Sequence, residues 1–367
     1  MESRNFEKEK AVAELKINPG LRLIERRGTV QIGLGSTGLV LEGTGQGDLD
    51  FLYRLRTGLD DTELEHAAGN CSITTERARA LVAALESVLV DPPAKSEQLS
   101  GLRLDRLAPD RAHWSAVYSV DSSALLANRA RAAVHLIGLG RTGGAVACAL
   151  AAAGVGTLLL EDRASVGPAD VGSGAFRLAD VGLNRAQAVR KMIRNIDPTV
   201  STHILSNSMD PEAAAGRPRF LNLVIYTDRD VPNARISHGL SEGDNPHLSL
   251  LLRERDALIG PLVVPGQSAC LDCLDRHHAQ ADPDWYELCS QVHGASAEAG
   301  AVDEVAQSVA AAGLASLQSL LFLDGRNRPA AWSAVLQLRS ADGTVGRHEY
   351  RPHPECACQL QPALQDS

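Results

Sequence analysis

The chain has 367 residues, 44% hydrophobic and 22% charged, with a formal charge of -9. That is enough apolar material for two or three packed domains, and the acidic balance without a Lys/Arg cluster argues against a nucleic-acid partner, leaving a basic peptide or a small anion. The opening MESRNFEKEK lacks an apolar h-region and runs such as AVACALAAAGVG are too short and Gly-broken to span a bilayer, so the expected location is cytoplasmic with no membrane partner, and the seven cysteines are expected to bind metal, pack or react rather than form disulfides.

Residues 18 to 47 alternate apolar residues with Gly and polar ones (NPGLRLIERRG, TVQIGLGS, TGLVLEGTGQG), which predicts three short antiparallel strands joined by glycine turns. A first Gly-x-Gly-x-x-Gly, made of Gly33, Gly35 and Gly38, falls in this stretch. It runs into the β-prone LVLEG and not into a helix, so it lacks the N-terminal N–H groups that hold a phosphate and reads as a hairpin turn. Three helical stretches follow, DLDFLYRLRTG, TELEHAAG and TTERARALVAALESVLV, each opening near a capping residue. The charges of the third fit a solvated face over a small core better than a membrane surface. Three strands and three helices describe a winged-helix-like α+β module over residues 1–95. The consecutive prolines of DPPAKSEQLSG mark a boundary, with a linker over 96–127.

A second Gly-x-Gly-x-x-Gly, Gly138, Gly140 and Gly143, lies between the strand-like AAVHLIG and the Ala-rich AVACALAAAG, where a dinucleotide-type phosphate cradle belongs. TLLLED is then a second strand, and Asp162 stands at its end, where an acid accepts from a ribose hydroxyl. A Rossmann-like turn that binds no phosphate is the alternative. Further on, Cys270 and Cys273 form C-x-x-C, and Cys356 and Cys358 form C-x-C. Four thiolates on two knuckles suit a closed, structural, tetrahedral zinc site, with chance pairing or a labile disulfide as the competing readings. His277 and His278 then read as surface or interface histidines, Cys289 as inert without an activating neighbour, and Cys71 and Cys148 as packing residues.

From about residue 128 to 358 the chain resembles the ThiF/MoeB/HesA superfamily of ubiquitin-activating-type enzymes. The resemblance rests on NRARAAVHLIGLGRTGGAVACALAAAGVGTLLLEDRASV, DVGLNRAQAVRKMIRNIDPTV and CLDCLDRHH with HPECACQ. It implies an α/β fold with a Rossmann-like, mainly parallel sheet in 128–367, ATP and magnesium at the glycine loop, adenylation of a C-terminal carboxylate, and a homodimer. Members use an Arg-Gln pair, a Lys and a magnesium-handling Asp around the α-phosphate, where cations stabilise the developing charge. Here Asp162 matches the ribose acid, Ala164 replaces the next acid, Ser173 and Gly174 stand where the Arg-Gln pair belongs, and Arg185 takes the Lys position. Asp228 aligns with the magnesium Asp, with Arg229 beside it in place of Asn.

A degenerate site with P-x-D-x-G after the second strand and a HPECAC tail looks like the ThiF-like proteins of azoline-forming, bacteriocin-type peptide biosynthesis. These pair with a YcaO-type cyclodehydratase, and their N-terminal recognition element takes up a precursor's leader as an added strand. By this resemblance TGLVLEG, with Leu39, Val40 and Leu41, is the open edge, and the helix from Thr75 to about Val90, with Leu81 and Leu85, is the groove wall. The expected function is a catalytically impaired, leader-binding partner protein, with Arg185 and Asp228 as vestiges. An active ATP-dependent adenylyltransferase is the alternative. An NAD-binding oxidoreductase is disfavoured by AAAGVGTLLLED and the knuckles.

Overall fold

The computed structural model describes residues 14–34, 38–91, 101–205, 221–233, 236–237, 239–240, 245–295 and 304–360. The MESRNFEKEK opening, Gly35 and residues 92–100 of the proline boundary lie outside them. The chain divides into two units, Met1–Ala127 and Asn128–Ser367.

In the first unit β1 (Glu14–Leu15) is followed by β2 (Leu23–Arg26), β3 (Thr29–Ile32) and β4 (Leu39–Glu42), and the last three form an antiparallel sheet in the order β2-β3-β4. Ile32 faces Leu39 across β3 and β4, so Gly33 and Gly38 flank a hairpin connection, as their sequence context predicts. Then come α1 (Gln46–Thr57), β5 (Leu59–Asp60), which pairs with β1, α2 (Leu64–Asn70) and α3 (Thr75–Ala84). α1 starts at Gly45, whose N–H donates to Asp48 at 2.9 Å, and Arg77 of α3 grips both oxygens of the same carboxylate at 3.0 and 3.1 Å. α3 stops short of Val90 because the chain turns back to pair with the N-terminus: Asn18 donates to Val88 and Val90 to Lys16. Val30, Ile32, Phe51, Leu52 and Leu55 centre the core. The stretch expected as linker carries α4 (Gly101–Arg106), α5 (Ala108–Tyr118) and most of α6 (Ser123–Arg131), and the side chain of Asn18 donates to the carbonyl of Ser115 at 2.7 Å. The proline-rich, polar stretch that precedes them hid these helices.

The second unit is built on an eight-stranded sheet in the order β13-β12-β11-β10-β9-β6-β7-β8. Its strands are β6 (Ala133–Ile137), β7 (Thr157–Glu161), β8 (Ser201–Ile204), β9 (Leu223–Arg229), β10 (His247–Leu252), β11 (Asp256–Val263), β12 (Ala334–Arg339) and β13 (Val345–Glu349). β8 through β10 in that order are parallel, whereas β11, β12 and β13 are added antiparallel. The fold is α/β and Rossmann-like, as expected.

Apolar runs such as LVIY in β9 and LSLLL in β10 are buried on both faces, the pattern of a covered parallel sheet. One face packs under α7 (Arg141–Ala152), α8 (Arg185–Ile196) and α11 (Val305–Asp324). α9 (Leu271–Ala281) and α10 (Trp285–Ala295) precede α11 in the chain. Contrary to the reading of the apolar runs, α11 is long and apolar enough to cross a membrane. Its Ala311, Ala312 and Ala315 are buried in the same cluster as Val146, Ala147 and Leu150 of α7, so it serves as a core helix.

Candidate functional site

Chain order reverses between β6 and β9, the crevice where open α/β sheets bind ligands. The second glycine motif occupies that position, bridging β6 and α7. Gly138 has φ +83°, and a Cβ on it would lie 2.4 Å from the Thr227 carbonyl oxygen; a Cβ on Gly143 would lie 2.0 Å from the Gly138 oxygen. Only glycine fits either place. Gly140 is the N-cap of α7 and has no side chain to cap it, which leaves the helix start open to an anion. Asp162, just beyond β7, accepts the Leu139 N–H at 2.7 Å and the Ala164 N–H at 2.8 Å. It therefore stands beside the loop.

Arg185 begins α8, with Asn184 as its cap. Its guanidinium is already engaged. Nε and Nη2 donate to the two oxygens of Asp170 at 3.0 and 2.9 Å, and Nη1 lies 3.5 Å from Asp162. Asp170 is 5% exposed and also accepts the Gly167 N–H at 2.8 Å. This residue is the D of P-x-D-x-G, and nothing in its spacing announces a partner fifteen positions away.

Ser173 is exposed and Gly174 has no side chain, so neither position carries a charge. The loop around it is held by Arg177, which donates to the carbonyls of Gly172, Gly174 and Phe176, and by Arg141, which donates to those of Ala169 and Val171. Asp228, near the end of β9, accepts from the Tyr226 hydroxyl and from the Arg229 N–H at 2.9 Å. Burial, with Asp228 close by, pushes the Tyr226 phenol up, so it acts as a donor. Thr227 between them faces the opposite side, against the glycine loop.

The four cysteines converge. Sγ distances are 3.7 Å for Cys270–Cys273, 3.5 Å for Cys270–Cys356 and 3.4 Å for Cys273–Cys358, and all four sulfurs lie within 4.8 Å of one another. A tetrahedron of sulfurs about 2.3 Å from a metal has edges of about 3.8 Å. The set therefore fits a closed metal site with no position left for substrate. The His353 N–H donates to Cys273 at 3.2 Å, and donation from the Cys270 thiol draws Cys273 down while holding Cys270 up.

His277 and His278 stay outside this cluster: His277 meets the Arg351 carbonyl at 2.9 Å and His278 the Tyr350 hydroxyl at 3.3 Å. Burial pushes the thiols of Cys71 and Cys289 up and that of Cys148 up to about 12, which fits inert residues.

In the first unit Leu41, Leu81 and Leu85 are 8, 3 and 0% exposed and lie inside the core. Leu39 is half-buried and Val40 is 47% exposed. Among the described residues β4 pairs only with β3, so its outer edge is open.

Fold and site together define a Rossmann-like protein with a glycine-loop crevice and a four-cysteine centre. Residues 118–227 match the ThiF family. A curated relative, ubiquitin-like modifier-activating enzyme 5 of Oryza sativa subsp. japonica, is 27% identical over 157 residues; that match takes in 38% of this chain and spans 37% of the relative's length. Solved structures share the fold over nearly the whole chain. E. coli MccB with ATP superposes with a TM-score of 0.67 at 14% identity, covering 94% of this chain and 99% of that one, and MccB with AMPCPP and MccA gives 0.68 at 15%, covering 95% and 100%. PaaA gives 0.68 at 18%, covering 90% and 99%.

Proposed function

We propose that this chain is a ThiF-like partner protein that binds the leader of a ribosomal precursor peptide on its N-terminal module and presents it to a YcaO-type cyclodehydratase, its own adenylation chemistry being impaired. The observation that carries the first half is the open outer edge of β4, with Val40 exposed on it. An added strand gains main-chain hydrogen bonds there, and alternate side chains supply specificity. MccB, a protein of the same fold from end to end, has been solved with MccA. The side chains on offer are Val40 and Leu39; Leu41, Leu81 and Leu85 support the strand and helix from inside.

The second half rests on Arg185. An incoming triphosphate meets a guanidinium already in a bidentate, charge-assisted pair with Asp170, and no cation at residues 173 and 174. Losing one preorganised donor to a developing charge is commonly worth about 10²–10³ in rate. On this reading zinc closes the cysteine site as a structural ion, the protein acts as a homodimer in the cytoplasm, and nucleotide and magnesium are dispensable for leader binding.

The test is fluorescence anisotropy of labelled leader peptides, taken from short open reading frames adjoining the gene, with the full-length protein. Val40→Glu is expected to weaken binding at least tenfold with an unchanged circular-dichroism spectrum. Equal binding by the variant contradicts the assignment.

A second reading, active adenylation, is favoured by the intact glycine geometry at Gly138 and Gly143. It requires carboxylate-dependent pyrophosphate exchange that is lost in Asp228→Ala; on the first reading exchange is undetectable or very slow.

A further inference from the structure

The sheet face opposite α7 and α11 carries a cavity of about 210 Å³ that no step above uses. Its floor is Leu251 of β10, Leu258 of β11 and Val335 of β12, residues that alternate with the Leu250, Ile259 and Leu336 of the main core and therefore point away from it. Its roof is one face of α9: Leu271, Leu274, Asp275 and His278 stand three, four and seven positions apart. Trp285, whose indole N–H donates to Asp275 at 3.1 Å, is among the lining residues. The roof begins at the four-cysteine cluster, because Cys270 caps α9 and Cys273 lies in its first turn.

The place of this cavity in the sheet points to its use. In the β9–β10 register Leu251 sits directly across from Asp228, and Asp230 and Val231, which follow β9, also line the cavity. It therefore starts beside the acid at the end of β9 and runs away from the glycine loop's side of the sheet. A dry apolar cavity of about 150 Å³ accepts benzene, so this volume takes one side chain of phenylalanine or leucine size. One polar feature is unmet. His278 Nδ1 is buried without a hydrogen-bond partner, while Nε2 meets the Tyr350 hydroxyl. Burial keeps the ring neutral, so Nδ1 is a donor or an acceptor according to tautomer. A peptide group carries both an N–H and a C=O and satisfies either form; a hydrocarbon satisfies neither.

We infer that this cavity is a side-chain subsite for a peptide, taking one aromatic or branched aliphatic residue while a neighbouring peptide group bonds His278. The inference rests on the reading that the chain handles a peptide, but it concerns a different unit from the β4 edge, and each can fail while the other stands.

The experiment is ligand-observed NMR titration of the full-length protein with N-acetyl-L-phenylalanine N-methylamide, N-acetylglycine N-methylamide and toluene. The phenylalanine amide is expected to saturate with a dissociation constant on the order of 1 mM, as a fragment of that size reaches, and the glycine amide not at all. Leu258→Trp, which fills the floor, is expected to weaken the phenylalanine amide at least tenfold, and Leu251→Trp gives the same reading from the neighbouring strand if the first variant loses metal or secondary structure. His278→Leu is expected to weaken the amide several-fold and leave toluene unchanged. Equal binding of the phenylalanine and glycine amides, no binding of the phenylalanine amide, or binding undiminished in both filled variants overturns the inference.

Discussion

Arg185 shows how one neighbouring carboxylate changes what a cation beside the glycine loop can do. With Asp170 in place the guanidinium is neutralised before any ligand arrives, and Asp162 shares it. Asp170→Asn keeps an acceptor while removing the charge, so Arg185 becomes available to an anion at the start of α7. Hydrogen bonds to charged groups are worth about 1.5–3 kcal/mol, so ATP affinity by calorimetry is expected to rise about tenfold; an unchanged affinity contradicts the competition.

Arg129 and Asp324 form a second bidentate pair, at 2.7 and 2.6 Å, with both side chains wholly buried. Asp324→Ala leaves a buried guanidinium uncompensated and is expected to cost about 3–5 kcal/mol in urea denaturation. His247 is a pH-sensitive residue of the core, held below its ordinary range by burial despite its contact with the Asn245 carbonyl. A histidine depressed in the fold contributes stability above its unfolded value of about 6.5 and loses it as pH falls through the folded value. Stability is therefore expected to decline below about pH 6.5, and His247→Leu to flatten that decline.

At the scale of elements, the cysteine knuckles bring α9 together with a tail more than eighty residues further along the chain, through Cys356 and Cys358, so a metal held there would tie the two. Closing so long a loop is what makes such a site a folding element. Cys270→Ser is expected to lower the bound zinc, measured by plasma emission, from about one per chain and to reduce the thermal midpoint. A folded, reduced sample with no metal contradicts this.

These cysteines were legible because thiolate pairs at short spacing have few other uses in a chain read as cytoplasmic. The glycine loop was legible for a similar reason, since strand, glycines, helix and acid occur in a fixed order. The burial of Leu81 and Leu85 was not, because an amphipathic helix shows which residues share a face but not whether that face meets a groove or the unit's own core. Asp170 escaped notice because its pairing with Arg185 depends on a loop folding back onto the start of α8, which no periodicity encodes. The helices within 101–131 were missed because an adjacent proline-rich stretch coloured the reading of the whole segment.

For the whole molecule, the first unit offers a sheet whose β4 edge is unpaired among the described residues, and the second a Rossmann-like body in which Arg185, at the start of α8, is paired with Asp170. The topology of the body was readable where strands alternate with helices. The antiparallel addition of β11, β12 and β13 was not, because apolar runs such as ALIGPLVV specify burial but not direction. On the proposed function a leader peptide lies along β4 and not at the glycine loop. Hydrogen–deuterium exchange of the full-length protein, with and without the leader peptide that binds it, measures this directly. Slowed exchange at residues 39–42, with the amides of 138–143 unaffected, is the expected result. Protection confined to the glycine loop, with β4 unchanged, would contradict it.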